Sequence, residues 1–142
     1  MLKQLSVFVE NKCGRLTGIV ELLGNGGINI RAMSLADTAD YGILRLIVND
    51  PQKAADLLKK EQYTMKITEV LAIEIPDEAG ALANVLRMIR DAEITIEYMY
   101  AFLGKQQQGA LVTLKCDDTE KAAALLQQNH VTVVDPETVY GL

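Results

Sequence analysis

Two short loops carry the residue types from which ligand chemistry could be built: Asn11-Lys12-Cys13-Gly14-Arg15-Leu16 and Asp77-Glu78-Ala79-Gly80-Ala81-Leu82. Each sets a glycine between a strand-like run and a helix-like run. Glycine takes positive φ at little cost and lets a ligand approach the backbone closely. The free N–H groups that open a helix, together with the helix dipole, attract an anion such as a carboxylate. Asn11 and Asp77 add oxygens that accept hydrogen bonds from an ammonium. Carboxylate and ammonium side by side are the two ends of a free amino acid. The same spacing also suits a plainer role, in which Asn11 and Asp77 cap the helices and the glycine makes the turn.

The remaining reactive residue types are few. Cys13 sits where a helix start would lower a thiol pKa, but its counterpart in the second loop is Ala79 and no histidine is near in sequence, so it is expected to line a ligand loop rather than act as a nucleophile. Cys13 and Cys116 make neither a disulfide framework nor a metal cluster, and the one histidine, His130, is expected to sit in solvent near a helix end. No metal and no cofactor are expected. Lys and Arg total 14 against 19 Asp and Glu, a formal charge of −5. That balance lacks the footprint of phosphate-backbone binding, so nucleic acid is an unsuitable partner. The third strand of the first half, GILRLIVND, also has no aromatic on which a base could stack. Nearly half of the 142 residues are hydrophobic (49%), enough for a packed core, yet no run reaches membrane-span length and Glu10 interrupts any secretory signal. The sequence therefore predicts a cytoplasmic protein with no membrane partner.

The elements that would position the loops are present twice. LSVFVENKCGRLTGIVELLGNGGINIRAMSLA aligns without a gap on LAIEIPDEAGALANVLRMIRDAEITIEYMYAF. Gly14 falls on Gly80, Leu16 on Leu82, Ile28 on Ile94, Ile30 on Ile96 and Met33 on Met99. From the third strand onward the offset grows by two residues: Asp50 falls on Asp118, Ala54 on Ala122 and Leu57 on Leu125. The extra residues belong to the stretch LGKQQQG, which reads as a surface hairpin. The pattern is that of a tandem duplication. Within each copy, Leu5, Val7, Val9 and Leu71, Ile73, Ile75 alternate as half-buried strands do. Leu16, Ile19, Val20, Leu23 and Leu82, Val85, Leu86, Ile89 form one apolar stripe per helix. Glycines 24, 26 and 27 stop the first helix, and Asp50-Pro51 opens the second with a cap and a proline at its first position. Strand, helix, strand, strand, helix, strand, with one apolar face each, folds as a four-stranded antiparallel sheet under two helices. This is the α+β ferredoxin-like arrangement. The expected domains are residues 1–68 and 69–142. Each is small enough to be marginal alone, so the two are expected to pack together, with a ligand at the junction.

The Asn-Lys-x-Gly-x-Leu loop, the amphipathic helix after it and the strand Gly27-Ile28-Asn29-Ile30 resemble the ACT domain. The copy, with Asp77, Gly80, Leu82 and Ile94-Thr95-Ile96, resembles it more loosely. The resemblance covers nearly the whole chain as a tandem pair. It implies a non-catalytic regulatory module for amino acids, with two domains side by side in one eight-stranded sheet and ligand at the seam. Carried over by position, the binding residues are Asn11, Lys12, Cys13, Gly14, Arg15, Leu16, Asn29 and Ile30, with Asp77, Glu78, Ala79, Gly80, Ala81, Leu82, Thr95 and Ile96 in the copy. Each loop would face the other copy's second strand, where Arg31 and Glu97 could pair. Thr95 in place of Asn29 and Pro76 in place of Glu10 make the two sites unequal. The acidic pair Asp77-Glu78 leans toward a ligand with a basic side chain such as histidine. Two other readings stand beside this one. A freestanding pair could be a regulatory subunit that contacts an enzyme of amino-acid metabolism, as the acetolactate synthase small subunit does, or it could assemble with further copies of itself. Acylphosphatases also hold a phosphoryl group with an arginine in the first strand–helix loop, which Arg15 matches, but Ala81 breaks that pattern in the copy.

Overall fold

The computed structural model describes residues 1–37, 40–103 and 109–142. In chain order the elements are β1 (Leu2–Glu10), α1 (Arg15–Asn25), β2 (Ile30–Asp37), β3 (Tyr41–Val48), α2 (Pro51–Lys60), β4 (Met65–Ile75), α3 (Ala81–Asp91), β5 (Ile96–Ala101), β6 (Ala110–Cys116), α4 (Thr119–Gln128), β7 (Thr132–Val133) and α5 (Pro136–Tyr140). They make two compact units. The first is Lys3–Thr68 with Val139–Leu142, and the second is Met1–Leu2 with Glu69–Thr138. The units are thus not two uninterrupted stretches, because a few residues at each terminus belong with the other half.

In the first unit β3 lies between β1 and β2, antiparallel to both, with the start of β4 on the far side of β1. Leu5 stands opposite Leu46, and Val7 opposite Leu44. These side chains meet Ile19 and Leu23 of α1 and Ala54 and Leu58 of α2 in one core. Each leucine buried there contributes roughly 1.5–3 kcal/mol relative to exposure. The second unit repeats the order as β5, β6, β4, β7. Leu71, Ile73, Val112 and Leu114 pack there against Val85, Ile89, Ala122 and Leu126. Both are the α+β ferredoxin-like unit that the alternating runs predict. Cys116 is a core residue of the second unit, and burial, helped by the neighbouring Asp117 carboxylate, pushes its thiol pKa up.

The strand expected to close the first copy and the strand expected to open the second are one strand. Met65–Ile75 (MKITEVLAIEI) contains no glycine, proline, asparagine or aspartate at which to turn, so it runs through the division between Thr68 and Glu69. The four longer helices end alike. Ile28 N–H donates to Leu23 O, Tyr63 N–H to Leu58 O, Ile94 N–H to Ile89 O and Val131 N–H to Leu126 O, each closing the last turn over a hydrophobic pair. The residue just before each of these donors is left-handed: Gly27 at φ 77°, Gln62 at 64°, Glu93 at 57° and His130 at 62°. Three of the four ends therefore hold a side chain in a conformation that suits glycine better. The Asp50 cap is present, its carboxylate accepting from Lys53 N–H at 3.0 Å, and Asp118 does the same for Lys121.

α5 was not foreseen. Asp135-Pro136 repeats the Asp50-Pro51 signal, and the Asp135 carboxylate accepts from the Thr138 N–H at 3.0 Å and its hydroxyl at 2.7 Å. Beyond it Val139 is fully buried. The Tyr140 hydroxyl accepts from Lys3 N–H at 2.9 Å, and Arg31 donates to Tyr140 O at 3.0 Å. Burial pushes the Tyr140 phenol pKa up, partly opposed by the Lys3 bond. Arg31 is thus engaged inside the first unit, and Glu97 faces Lys115 at 3.7 Å inside the second. The center of the expected surface hairpin, residues 104–108, lies outside the described residues.

Candidate functional site

Both loop glycines are left-handed and open their helices: Gly14 at φ 84° before α1, and Gly80 at φ 86° before α3. A Cβ at either would meet nothing within 4 Å, so the backbone conformation alone calls for glycine there. Neither helix receives a side-chain cap, which removes the plainer role for Asn11 and Asp77. At α1, Arg15 N–H reaches back to Lys12 O at 3.2 Å, and Gly18 N–H bonds to Gly14 O at 3.0 Å. Between them, the N–H groups of Leu16 and Thr17 have no partner among the described residues.

In the first unit this helix start borders a cleft of about 160 Å³. Its walls are Val9, Glu10, Asn11, Lys12 and Leu16 on one side, and Leu35, Asp37 and Gly42 on the other. The loop is tied to the far wall by Asn11 N–H donating to Asp40 O at 3.2 Å and Asn11 Nδ2 donating to Asp37 Oδ1 at 3.4 Å. A Cβ on Gly42 would come within 3.1 Å of the Leu35 side chain, so glycine keeps that wall tight. The cleft combines an ammonium (Lys12, 3.3 Å from Glu10), an amide, a carboxylate at Asp37 and an apolar strip of Val9, Leu16 and Leu35. Such a lining can receive both ends of a zwitterion and a small apolar side chain.

Of the residues expected from sequence, Asn11, Lys12 and Leu16 line this cleft, and Leu35, Asp37 and Gly42, which were not among them, line it as well. A lone glycine inside a strand was the available signal for the last of these. Gly14 supplies the turn, and Cys13 is exposed beside it. Arg15 does not line this cleft. It lies 3.9 Å from Glu10 and faces a separate groove. Asn29 and Ile30 stand at the opposite end of the same sheet. Ile30 is paired with Val48, whereas Asp37 is paired with Gly42 and Glu10 with Tyr41. Asn29 N–H donates to Asn49 Oδ1 at 2.8 Å, and Ile30 packs on its own core. The copy repeats this: Thr95 N–H donates to Asp117 Oδ1 at 3.1 Å, and Ile96 packs on the second core. No single unit therefore brings its loop and the start of its own second strand together.

The second loop holds Asp77, Glu78, Ala79 and Gly80 exposed, with Ala81 buried and Leu82 half-buried behind them. Ala81 N–H reaches Glu78 O at 3.3 Å, as Arg15 reaches Lys12. Leu103 stands at the position equivalent to Asp37. Among the described residues no group of three or more His, Cys, Asp or Glu could hold a metal ion, and no helix is long and apolar enough to cross a membrane.

The duplicated ferredoxin-like units, each with a left-handed glycine before its first helix, define a tandem α+β class. The ACT domain pair family matches residues 1–142, and this chain belongs to that family. Among solved structures it is similar to protein BT0572 from Bacteroides thetaiotaomicron, at 39% identity and a TM-score of 0.92, covering 99% of this chain and 96% of that one. It shares its fold, at 12% identity and a TM-score of 0.63, with the ligand-free regulatory subunit of aspartate kinase from Thermus thermophilus, covering 90% and 91%. It is also 30% identical over 89 residues to the acetolactate synthase isozyme 3 small subunit of Escherichia coli. That match covers 63% of this chain and 53% of the other, so the chain spans about half the length of the curated relatives it matches.

Proposed function

We propose that this chain is a non-catalytic cytoplasmic sensor that binds a free amino acid at the loop before α1. The observation that carries the reading is the uncapped, glycine-opened start of α1 beside the Asn11–Asp37 contact. The ligand carboxylate is received by the N–H groups of Leu16 and Thr17 with Lys12 nearby, and its ammonium by Asn11 Oδ1 and the Asp37 carboxylate. The strip of Val9, Leu16 and Leu35 suits a small aliphatic side chain and gives no support to a histidine-like one. Asn29, Ile30, Thr95 and Ile96 join such a site only when loop and strand come from different units, of this chain or of a second copy. The loop of Asp77, Glu78, Ala79, Gly80, Ala81 and Leu82 is the second, weaker site in this reading.

Isothermal titration against the twenty amino acids tests it. At least one is expected to give saturable heat, weakened roughly tenfold or more by Asn11→Ala or Asp37→Ala, as loss of a charged hydrogen bond predicts. Absence of heat and of any thermal shift with all twenty ends the reading. Similarity to an acetolactate synthase small subunit favours a second reading, in which the chain regulates a biosynthetic enzyme by contact. Affinity capture from the native cytoplasm distinguishes the two, since a stoichiometric enzyme partner supports contact regulation and its absence leaves sensing alone.

A further inference from the structure

The chain has five tyrosines, two phenylalanines and no tryptophan. Three of those seven rings, Phe8, Tyr41 and Tyr63, line one groove of about 440 Å³ in the first unit. Phe8 and Tyr41 are 45% and 55% exposed. Large rings left this open in a chain so poor in aromatics are the informative exception to burial. Arg15, Glu10 and Glu61 share the lining. The groove runs from Tyr41 at the start of β3 to Thr64, whose O accepts from Phe8 N–H, whereas the amino-acid cleft takes in Leu35 and Asp37 of β2. The equivalent groove of the second unit is about as large, near 460 Å³, but has Glu74, Ala81 and Val131 where the first has Phe8, Arg15 and Tyr63. The duplication preserved the concavity, but the first copy furnishes it with three phenyl or phenol rings and a guanidinium, whereas the second offers the His130 imidazole alone.

We propose that this groove is a binding site for a planar nitrogen heterocycle of the nucleobase type, as a free small molecule. Aromatic faces and a guanidinium plane are the surfaces on which flat π systems stack. Arg15 lines the groove and Lys12 pairs with Glu10 at its rim at 3.3 Å, so two cations balance the Glu10 and Glu61 carboxylates and neither a strong anion nor a strong cation is favoured. The Glu10 and Glu61 carboxylates accept hydrogen bonds only, so they select a ring whose edge carries N–H donors. The groove shares Val9 and Glu10 with the proposed amino-acid cleft, whereas Phe8, Arg15, Tyr41, Glu61 and Tyr63 line the groove alone.

Adenine and hypoxanthine serve as probes in an NMR titration of the whole chain, with cyclohexanol as the saturated control. The expected result is saturable shift changes at Phe8, Arg15, Tyr41 and Tyr63, absent with cyclohexanol. Phe8→Leu and Tyr41→Leu, both at exposed positions, are expected to weaken binding roughly tenfold each, the typical loss of one stacking ring. Amino-acid binding should persist in both variants, so failure of one site is separable from failure of the other. The proposal is overturned by no saturable shift at millimolar probe, by equal shifts with cyclohexanol, or by shifts centred elsewhere. Shifts at the same residues on raising protein concentration alone would mark the rings as a self-contact and equally overturn it.

Discussion

The two glycine loops share one backbone and carry opposite chemistry. In the first, a neutral Asn11 and a cationic Lys12 in the loop face an acid, Asp37, on the strand wall. In the second the acids, Asp77 and Glu78, are in the loop itself, and the wall position is Leu103. Gly14 and Gly80 nevertheless agree in φ to within a few degrees. The repeated reach-back of Arg15 to Lys12 and of Ala81 to Glu78 shows the same turn. What the duplication holds fixed is therefore conformation, and what it releases is charge. Among the described residues, the first loop alone sets a cation and an acid around one cleft, as a zwitterion requires.

That comparison can be broken or sharpened by equivalent substitutions in the two units. The largest effect is expected in the cores. Leu5→Ala and Leu71→Ala should each cost about 2–5 kcal/mol in urea unfolding, with hydrogen exchange showing loss of protection in the unit that carries the change. Gly14→Ala and Gly80→Ala come next, at about 1–2 kcal/mol each, because the left-handed backbone is penalised while the new methyl meets no neighbour. Unequal costs at the two glycines would break the claim of a shared turn. At the helix ends the sign reverses. Gln62→Gly, Glu93→Gly and His130→Gly should each raise stability by about 0.5–1 kcal/mol, while Gly27→Ala should lower it, as thermal melts would read. The smallest effect concerns α5. The hydrogen bonds from Thr138 hold the Asp135 carboxyl below its ordinary pKa. Its cap is thus fully present above the unfolded value and is lost as pH falls through the folded one. Exchange of the Thr138 amide should accelerate on acidification, and Asp135→Asn should flatten that response.

Much of the fold was legible because it rests on short-range signals. Alternation at Leu5, Val7 and Val9, the stripe through Ile19 and Leu23, and the repeat itself each reflect a local periodicity that packing then uses. The loop glycines were legible for the same reason. The strand continuity of β4 was harder, since two expected strands with no turn residue between them look identical to one. α5 was overlooked although Asp135-Pro136 carries the same signal as Asp50-Pro51, because five residues make too short a stripe to register as amphipathic. Asp37 and Leu35 were invisible as cleft residues. They reach Asn11 through the pairing of β1 with β3 and of β3 with β2, and no sequence period encodes that partnership. Asn29 and Ile30 show the converse. They lie near the loop in sequence logic and at the far end of the sheet in space.

The membership of Val139 and Tyr140 in the first unit has a consequence for biosynthesis. A ribosome delivers residues 3–68 early, but their partner for Lys3 N–H and Arg31 is translated only after the whole of the second unit. Residues 69–138 have their complement, Met1 and Leu2, from the outset. The first unit thus waits for residues made after the second, and a chain cut before Val139 would hold the second unit's residues entire and the first unit's incomplete.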